Sequence, residues 1–163
     1  IMRRSDIGPM GVISLLFVLL ADVAAITRLT AEAPLAAPLA LVCAAILGRV
    51  AVVAATTPSS TGARSAGFGA LFYGVTSTAT ATLWGIAGLA TAVAVGWVVA
   101  GLSGAAVFGV AALVSMAVGW WWRRHLSRRL GGMTGDAFGS IIEVVMAAFL
   151  VAATLGFGIV TLA

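Results

Sequence analysis

Runs of about 20 apolar residues, the length that crosses the hydrocarbon core of a bilayer as a helix, follow one another along nearly the whole chain. A helix satisfies every backbone polar group inside its own segment, which a lipid environment requires. Sixty-two per cent of the 163 residues are hydrophobic and only 9% are charged, a balance outside the range of soluble domains. The sequence therefore predicts an all-α fold, a polytopic transmembrane helical bundle.

The positions of the apolar runs predict five spanning helices within a single membrane domain, residues 1–163. The predicted spans are Pro9 to Leu29, Pro34 to Thr56, Thr80 to Ala100, Leu102 to Trp122, and Asp136 to the end of the chain. The turn TAEAP joins the first two spans, and AGLSG joins the third to the fourth. The second connection is short enough to predict a tight helical hairpin.

The arginines predict the orientation, because Arg and Lys are retained on the cytoplasmic side of a membrane. With these spans, only Arg28 falls on the opposite side, and Arg49 lies inside the second span. The remaining seven share one side: Arg3, Arg4, Arg64, Arg123, Arg124, Arg128 and Arg129. The N-terminus and the loops before the third and fifth spans are therefore predicted to be cytoplasmic, with Trp120 to Trp122 at the inner interface.

The formal net charge of +4 does not indicate nucleic-acid binding, since the arginines form short clusters beside apolar runs, as cytoplasmic loops do. Cys43 is the one cysteine, which excludes an intrachain disulfide and favours a buried small hydrophobe. His125 has no Cys or His at ligand spacing, which disfavours a zinc site. Neither a P-loop nor a common hydrolase or protease motif occurs.

The start of the fifth span carries the most specific polar pattern. Asp136, Ser140 and Glu143 recur at helical spacing, so they form a stripe about 10 Å long on nearly one face of the helix. Thr134 or Asp136 is predicted to cap the exposed amides at the helix start. Capping does not account for Glu143, which lies beyond the first turn. A carboxylate there implies a buried cation, a bound metal or a polar cavity.

Asp22 in the first span and Arg49 in the second are the other charges predicted inside the membrane. Antiparallel packing would bring the two helices together, although the depths of these residues differ by about 7 Å of helical rise. In the alternative interpretation, Arg49 extends its guanidinium to the cytoplasmic face. The sequence leaves both interpretations open.

Arginines, two glycine-rich bends and several carboxylates lie at the predicted cytoplasmic face. Arginines bind phosphate and carboxylates hold divalent metals, so this face predicts a site for an anionic, phosphorylated substrate with a divalent metal. One alternative is a transporter or channel subunit in which Asp22, Arg49 and Glu143 line a pathway. Another is a scaffold in which arginines set topology and glycines spaced like Gly135 and Gly139 serve helix packing.

Three stretches, taken in order, resemble the cobalamin synthase family, also called adenosylcobinamide-GDP ribazoletransferase. They are IMRRSDIGPMGV at 1–12, LGRVAVVAATTPSSTGARSAGFGALF at 47–72, and RRLGGMTGDAFGSIIE at 128–143. The last is the most specific, because the family carries a similar arginine-rich turn, G-G-x-T-G-D, a short gap and a glutamate. Family members have a further N-terminal region, so the resemblance implies a fragment that corresponds to the C-terminal two-thirds.

The resemblance implies a magnesium-dependent membrane transferase of late cobalamin (vitamin B12) biosynthesis, in the inner membrane of a prokaryote. In this reaction α-ribazole, or its 5′-phosphate, attacks the phosphate joined to adenosylcobinamide in the GDP-activated precursor, and GMP leaves. Carried onto this chain, the implied catalytic residues are Asp136 and Glu143, the Mg²⁺ ligands are Asp6, Asp136 and Glu143, and the substrate-binding residues are Arg3, Arg4, Arg49, Arg64 and Thr134. A homo-oligomer is compatible with the sequence but not indicated by it.

Overall fold

The computed structural model describes residues 9–58, 71–72 and 74–162. Four helices occupy most of these residues: α1 (Pro9–Glu32), α2 (Ala36–Ala55), α3 (Thr78–Leu130) and α4 (Gly135–Leu162). Each helix is long and apolar enough to cross a membrane, and the described ranges contain no strand. The predicted all-α, polytopic helical bundle is therefore confirmed, and the chain is a multi-pass membrane protein.

Helix α3 contains the predicted third and fourth spans as a helical hairpin. Ala100 and Gly101 leave helical geometry, and Gly101 has φ 59° and ψ -138°, a conformation that glycine adopts without a side-chain penalty. A Cβ placed on Gly109 would lie 3.1 Å from Cγ2 of Val93, whereas these residues would be about 24 Å apart in a straight helix. The chain therefore reverses at the two-residue turn, and the two halves, 78–99 and 102–130, run antiparallel.

Local capping residues set the ends of α3 and α4. The hydroxyl of Ser77 accepts the N–H of Thr80 at 3.0 Å and so caps the start of α3. Gly131 ends that helix in the left-handed conformation, with φ 72°. Thr134 then caps α4, because its hydroxyl accepts the N–H of Ala137 at 3.3 Å. The expected cap at this helix start is confirmed, and Thr134 provides it.

Helix α4 packs against each of the other three helices. Phe108 of α3 meets Phe149 and Phe157 of α4 edge to face, with ring centroids 5.5 and 6.0 Å apart. Helix α2 approaches α4 at Gly48, where an added Cβ would lie 3.1 Å from Cγ2 of Ile142. Small residues at such crossings allow backbones in a membrane to approach closely.

The glycines that admit this packing differ from the pair singled out in the sequence. A Cβ on Gly119 would lie 2.6 Å from Cγ2 of Val145, and one on Gly156 would lie 2.7 Å from Cγ1 of Val107. A Cβ on Gly139 would meet nothing within 4 Å. The packing interpretation of Gly139 is therefore wrong.

The helix directions place five helix ends at the same end of the bundle. The N-termini of α1, α3 and α4 lie at the end where α2 and the second half of α3 finish. Trp122, late in α3, donates its indole N–H to the hydroxyl of Ser140, early in α4, at 3.2 Å. Near the opposite end, Thr154 of α4 donates to the carbonyl of Ala25 in α1 at 3.3 Å. Following the arginine distribution, we call the first end cytoplasmic.

Candidate functional site

A cavity of about 490 Å³ lies at the cytoplasmic end, between α2 and the two halves of α3. Its polar lining consists of Thr57, Thr78, Thr82 and Arg123, and Trp120 contributes an aromatic wall. Most of the other lining residues are small or apolar. Ligand sites are commonly clefts of this size with a few polar groups among apolar ones.

Small residues keep this space open. Ala54 of α2, Ala81 and Gly85 of the first half of α3, and Gly119 of the second half all line the cavity. The side chains that face one another across it therefore end close to their backbones. Larger residues at Ala54, Ala81 or Gly85 would fill the volume that is now accessible, whereas a side chain on Gly119 would meet Val145 of α4.

The threonine hydroxyls in the lining are oriented by their own helices. Thr57 donates its hydroxyl to the carbonyl of Ala54 at 3.0 Å, and Thr82 donates to the carbonyl of Thr78 at 2.9 Å. A threonine hydroxyl that donates its proton can also accept hydrogen bonds through its oxygen. Arg123 contributes a cationic group with several N–H donors. The cavity thus combines acceptors for hydroxyl or amide groups with a donor suited to phosphate.

Helix α4 carries both of the carboxylates that were predicted to act together. Asp136 is exposed in the first turn of α4, and Glu143 is exposed about two turns further along. Their positions differ by about 10 Å along the helix axis, the length expected for the polar stripe. Neither lines the cavity, and their catalytic roles stay predictions.

No group of three or more His, Cys, Asp or Glu that could hold a metal occurs in the part of the chain that the structure describes. Asp136 alone fits the common arrangement in which Mg²⁺ takes one carboxylate, with water and substrate phosphates as its other ligands. Asp6, the third predicted ligand, lies outside the described residues. The metal site stays a prediction.

Glu143 lies near Asp22 of α1, close enough for the two carboxylates to interact electrostatically. Oδ1 of Asp22 is buried and has no hydrogen-bond partner among the described residues. Arg49 does not pair with Asp22: it donates to the carbonyl of Ala45 in its own helix at 2.9 Å. Ala45 lies one turn further from the cytoplasmic end than Arg49 does, so the guanidinium does not extend to the cytoplasmic face either.

Two of the predicted substrate-binding residues can be placed. Arg49 is exposed on α2 and does not line the cavity, and Thr134 uses its hydroxyl oxygen to cap α4. The other three, Arg3, Arg4 and Arg64, lie outside the described residues. A role in substrate binding stays a prediction for all five.

Comparison with known proteins gives the family. A family model described as cobalamin-5-phosphate synthase matches residues 1–154. The chain belongs to the cobalamin-5-phosphate synthase family. It is similar to the adenosylcobinamide-GDP ribazoletransferases of Frankia casuarinae and Citrobacter koseri, with 37% identity to each over 92% and 93% of this chain. The corresponding protein of Desulforamulus reducens is 34% identical over 89% of the chain.

These matches cover 54%, 58% and 53% of the three relatives. The chain therefore spans a little over half the length of the curated relatives that it matches. No solved structure matches it. The membership confirms the resemblance found in the sequence, and the three relatives carry the name of a transferase. The transporter alternative receives no support.

Within this member of the cobalamin-5-phosphate synthase family, the cavity residues are the ones that sequence reasoning missed. Arg123 was attributed mainly to membrane topology, and the lining threonines were not singled out. A signal was present, because threonines flank the loop between α2 and α3 in the stretches ATTP and TSTATAT. The hydroxyls of Thr56 and Thr76, 2.8 Å apart, join these two stretches.

Proposed function

We propose that the chain forms part of an adenosylcobinamide-GDP ribazoletransferase in the inner membrane of a prokaryote. In the proposed reaction, a hydroxyl of α-ribazole, or of its 5′-phosphate, attacks the phosphorus joined to adenosylcobinamide. A new P–O bond forms, the P–O bond to GMP breaks, and GMP leaves. The family membership and the names of the relatives support this proposal, and the cytoplasmic cavity is the observation that carries it.

The cavity is assigned to α-ribazole, the smaller substrate. A volume of about 490 Å³ suits a single nucleoside, whereas the GDP-activated corrinoid is far larger than such a cleft. The exposed ring of Trp120 offers a face on which a planar base stacks. The oxygens of Thr57 and Thr82, whose protons are already donated to the helix, would accept hydrogen bonds from ribose hydroxyls.

Arg123 would bind the phosphate that is transferred. Displacement at phosphorus depends mainly on positioning and on cations that neutralise charge on the transferring group. Arg123 lines the same cavity as the threonines, so its guanidinium would hold the phosphate beside the attacking hydroxyl. An arginine is suited to this role, because its planar N–H groups match phosphate oxygens in pairs.

Magnesium would be held by Asp136 together with water and substrate phosphate oxygens, an arrangement common for this ion. When bound, Mg²⁺ would supply further neutralisation of phosphate charge. Asp136 is exposed at the cytoplasmic end, where the phosphates of a soluble substrate are accessible. Glu143 is not part of this proposed set, since it lies about 10 Å further along α4.

The test is GMP release by the purified full-length protein with GDP-activated cobinamide, α-ribazole and Mg²⁺. We expect Arg123→Gln to lower kcat/KM about a hundredfold, the size of effect seen when one charge-stabilising donor is lost. Arg129→Gln is the matched control, because Arg129 is exposed on the same helix and lines no part of the cavity. Its kcat/KM should equal that of the wild type.

Two outcomes would separate the parts of the proposal. Absence of GMP release by the wild-type protein would overturn the proposed reaction. Wild-type activity in Arg123→Gln would leave the reaction standing and overturn the assignment of the cavity.

A further inference from the structure

A second polar surface lies beside the cavity and shares Trp120 with it. This arginine groove has a volume of about 350 Å³ and is lined by Trp120, Trp121, Arg124, His125 and Arg128. The five residues lie on one strip of α3, since side chains four apart are neighbours on a helix surface. Of these five residues, the proposed transfer reaction uses Trp120 alone.

Aromatic contacts hold two of the polar side chains of the groove, Arg124 and His125, in place. The guanidinium carbon of Arg124 lies 4.7 Å from the centroid of the Trp120 ring, within the range of a cation–π interaction. His125 stacks on Trp121 and Trp122, with ring centroids 5.6 and 5.5 Å apart. The groove therefore presents oriented cationic and hydrogen-bonding groups.

No carboxylate neutralises the two groove arginines within the described residues. The described carboxylates are Asp22, Glu32, Asp136 and Glu143, and the one ion pair found among described side chains joins Arg28 to Glu32 at the other end of the bundle. Arg124 and Arg128 thus present positive charge and several N–H donors without a counterion from this part of the chain. Such a pair favours an anion, and phosphate oxygens match the guanidinium geometry best.

The depth of the groove coincides with the lipid headgroups. From Leu102 to Trp120 the helix rises about 27 Å, close to the hydrocarbon thickness of about 30 Å. With Leu102 placed at the outer edge of the hydrocarbon, Trp120 would lie at its inner edge and Arg124 about 6 Å beyond it. The polar headgroup layer extends about 5 to 7 Å on each side of the hydrocarbon, so Arg124 would lie at the level of the lipid phosphates. The backbone of Arg128 lies about 6 Å further out, and its long side chain would reach back to this level.

We propose that the arginine groove binds the headgroup phosphate of an anionic phospholipid in the cytoplasmic leaflet, with Arg124 and Arg128 donating to the phosphate oxygens. Two observations favour a lipid over a soluble phosphate. Trp120 and Trp121 are 55% and 56% exposed, and their rings would contact the glycerol and upper acyl region, as interfacial tryptophans do. The exposed side chains of the groove also lie on the outer surface of the bundle, where clustered arginines would attract an anionic headgroup.

The test measures binding of phosphatidylglycerol and phosphatidylcholine with identical acyl chains to the purified full-length protein in detergent. We expect the wild type to prefer phosphatidylglycerol. The double variant Arg124→Gln/Arg128→Gln should bind it about thirtyfold more weakly, since each arginine near the surface contributes about 1 kcal/mol. Arg129→Gln is the control, because Arg129 is equally exposed but lies outside the groove, and its binding should match the wild type.

Three results would overturn the proposal. The first is phosphatidylglycerol binding by the double variant that equals the wild type. The second is an equal loss in Arg129→Gln, which would show diffuse attraction rather than a site. The third is displacement of the lipid by an equal concentration of glycerol 3-phosphate, which would indicate a site for a soluble phosphate. Helical circular dichroism confirms that each variant is folded, and if the double variant is not, the single variant Arg128→Gln should still lose about fivefold.

Discussion

The two ends of the α3 hairpin are built from the same pair of helical halves but differ in their separation. At the external end, Gly96 and Gly104 let the two backbones touch, so that a Cβ on either residue would overlap the other's carbonyl. At the cytoplasmic end, residues 78–85 and 116–123 line a cavity of about 490 Å³. The comparison shows how a membrane protein with few charges holds a polar cavity. A glycine contact fixes the two halves of α3 at the external end, and small residues leave space between them at the cytoplasmic end.

The cytoplasmic end also separates two consecutive arginines. Successive residues of a helix point about 100° apart, so Arg123 lines the cavity while Arg124 lies over Trp120 in the arginine groove. One RR pair therefore supplies a donor to each of two surfaces. The positive-inside distribution of arginines explains why both residues are at this end, but not which surface each one serves.

The largest expected effect comes from Gly96→Ala, which disrupts the close contact between the two halves of α3 at the external end. The new Cβ would overlap the backbone carbonyl of Gly104 and lie 2.8 Å from Cβ of Phe108. Because backbone atoms cannot rotate away, we expect the free energy of unfolding in detergent to fall by about 3 kcal/mol. Gly85→Ala is the matched control in the same half of α3. Its Cβ would meet nothing within 4 Å, so that variant should gain up to about 1 kcal/mol from helix propensity. Equal stabilities of the two variants would refute the close contact.

A smaller effect is expected from the turn itself. Gly101 has positive φ with ψ -138°, a region that residues with a Cβ rarely adopt. Gly101→Ala should therefore lower the unfolding free energy by about 2 kcal/mol through backbone strain, even though its Cβ would meet no atom within 4 Å. The same denaturation assay in detergent measures it. A stability equal to the wild type would mean that the reversal does not depend on this conformation.

Much of this architecture could be predicted from local sequence. The apolar runs placed the five spans, because their lengths are set by the bilayer and need no knowledge of neighbours. The connection AGLSG predicted the hairpin, and the turn lies at Ala100 and Gly101 inside it. The cap of α4 was also local, since it depends on a hydroxyl three residues before an amide, and Thr134 supplies it.

The site was harder to predict, because it depends on contacts between distant residues. Asp136 and Glu143 share a helical spacing, but spacing does not place a face against a cavity, and the structure exposes both. Gly139 fits a packing pattern, yet a Cβ added to it would meet no atom of the described residues within 4 Å, since the rotation of α4 is set by its neighbours. That Arg123 lines one cavity with Thr57 and Thr82 depends on the packing of α2 against both halves of α3, which local sequence does not show.

The smallest of these effects concerns the cavity at the cytoplasmic end of the hairpin, and the substitution should leave stability unchanged. Ala54 lines the cavity on α2, so Ala54→Phe would occupy part of the volume assigned to α-ribazole without meeting the closed contact between the halves of α3. We expect KM for α-ribazole in the GMP-release assay to rise about tenfold, equivalent to about 1.4 kcal/mol, while Tm stays at the wild-type value. Ala90→Phe adds the same ring at an exposed position of α3 outside the cavity and should change neither quantity. If both variants raise KM equally, the added ring acts through the membrane surface and the cavity is not the α-ribazole site. If only Ala54→Phe raises KM, the cavity between α2 and the two halves of α3 is what admits α-ribazole.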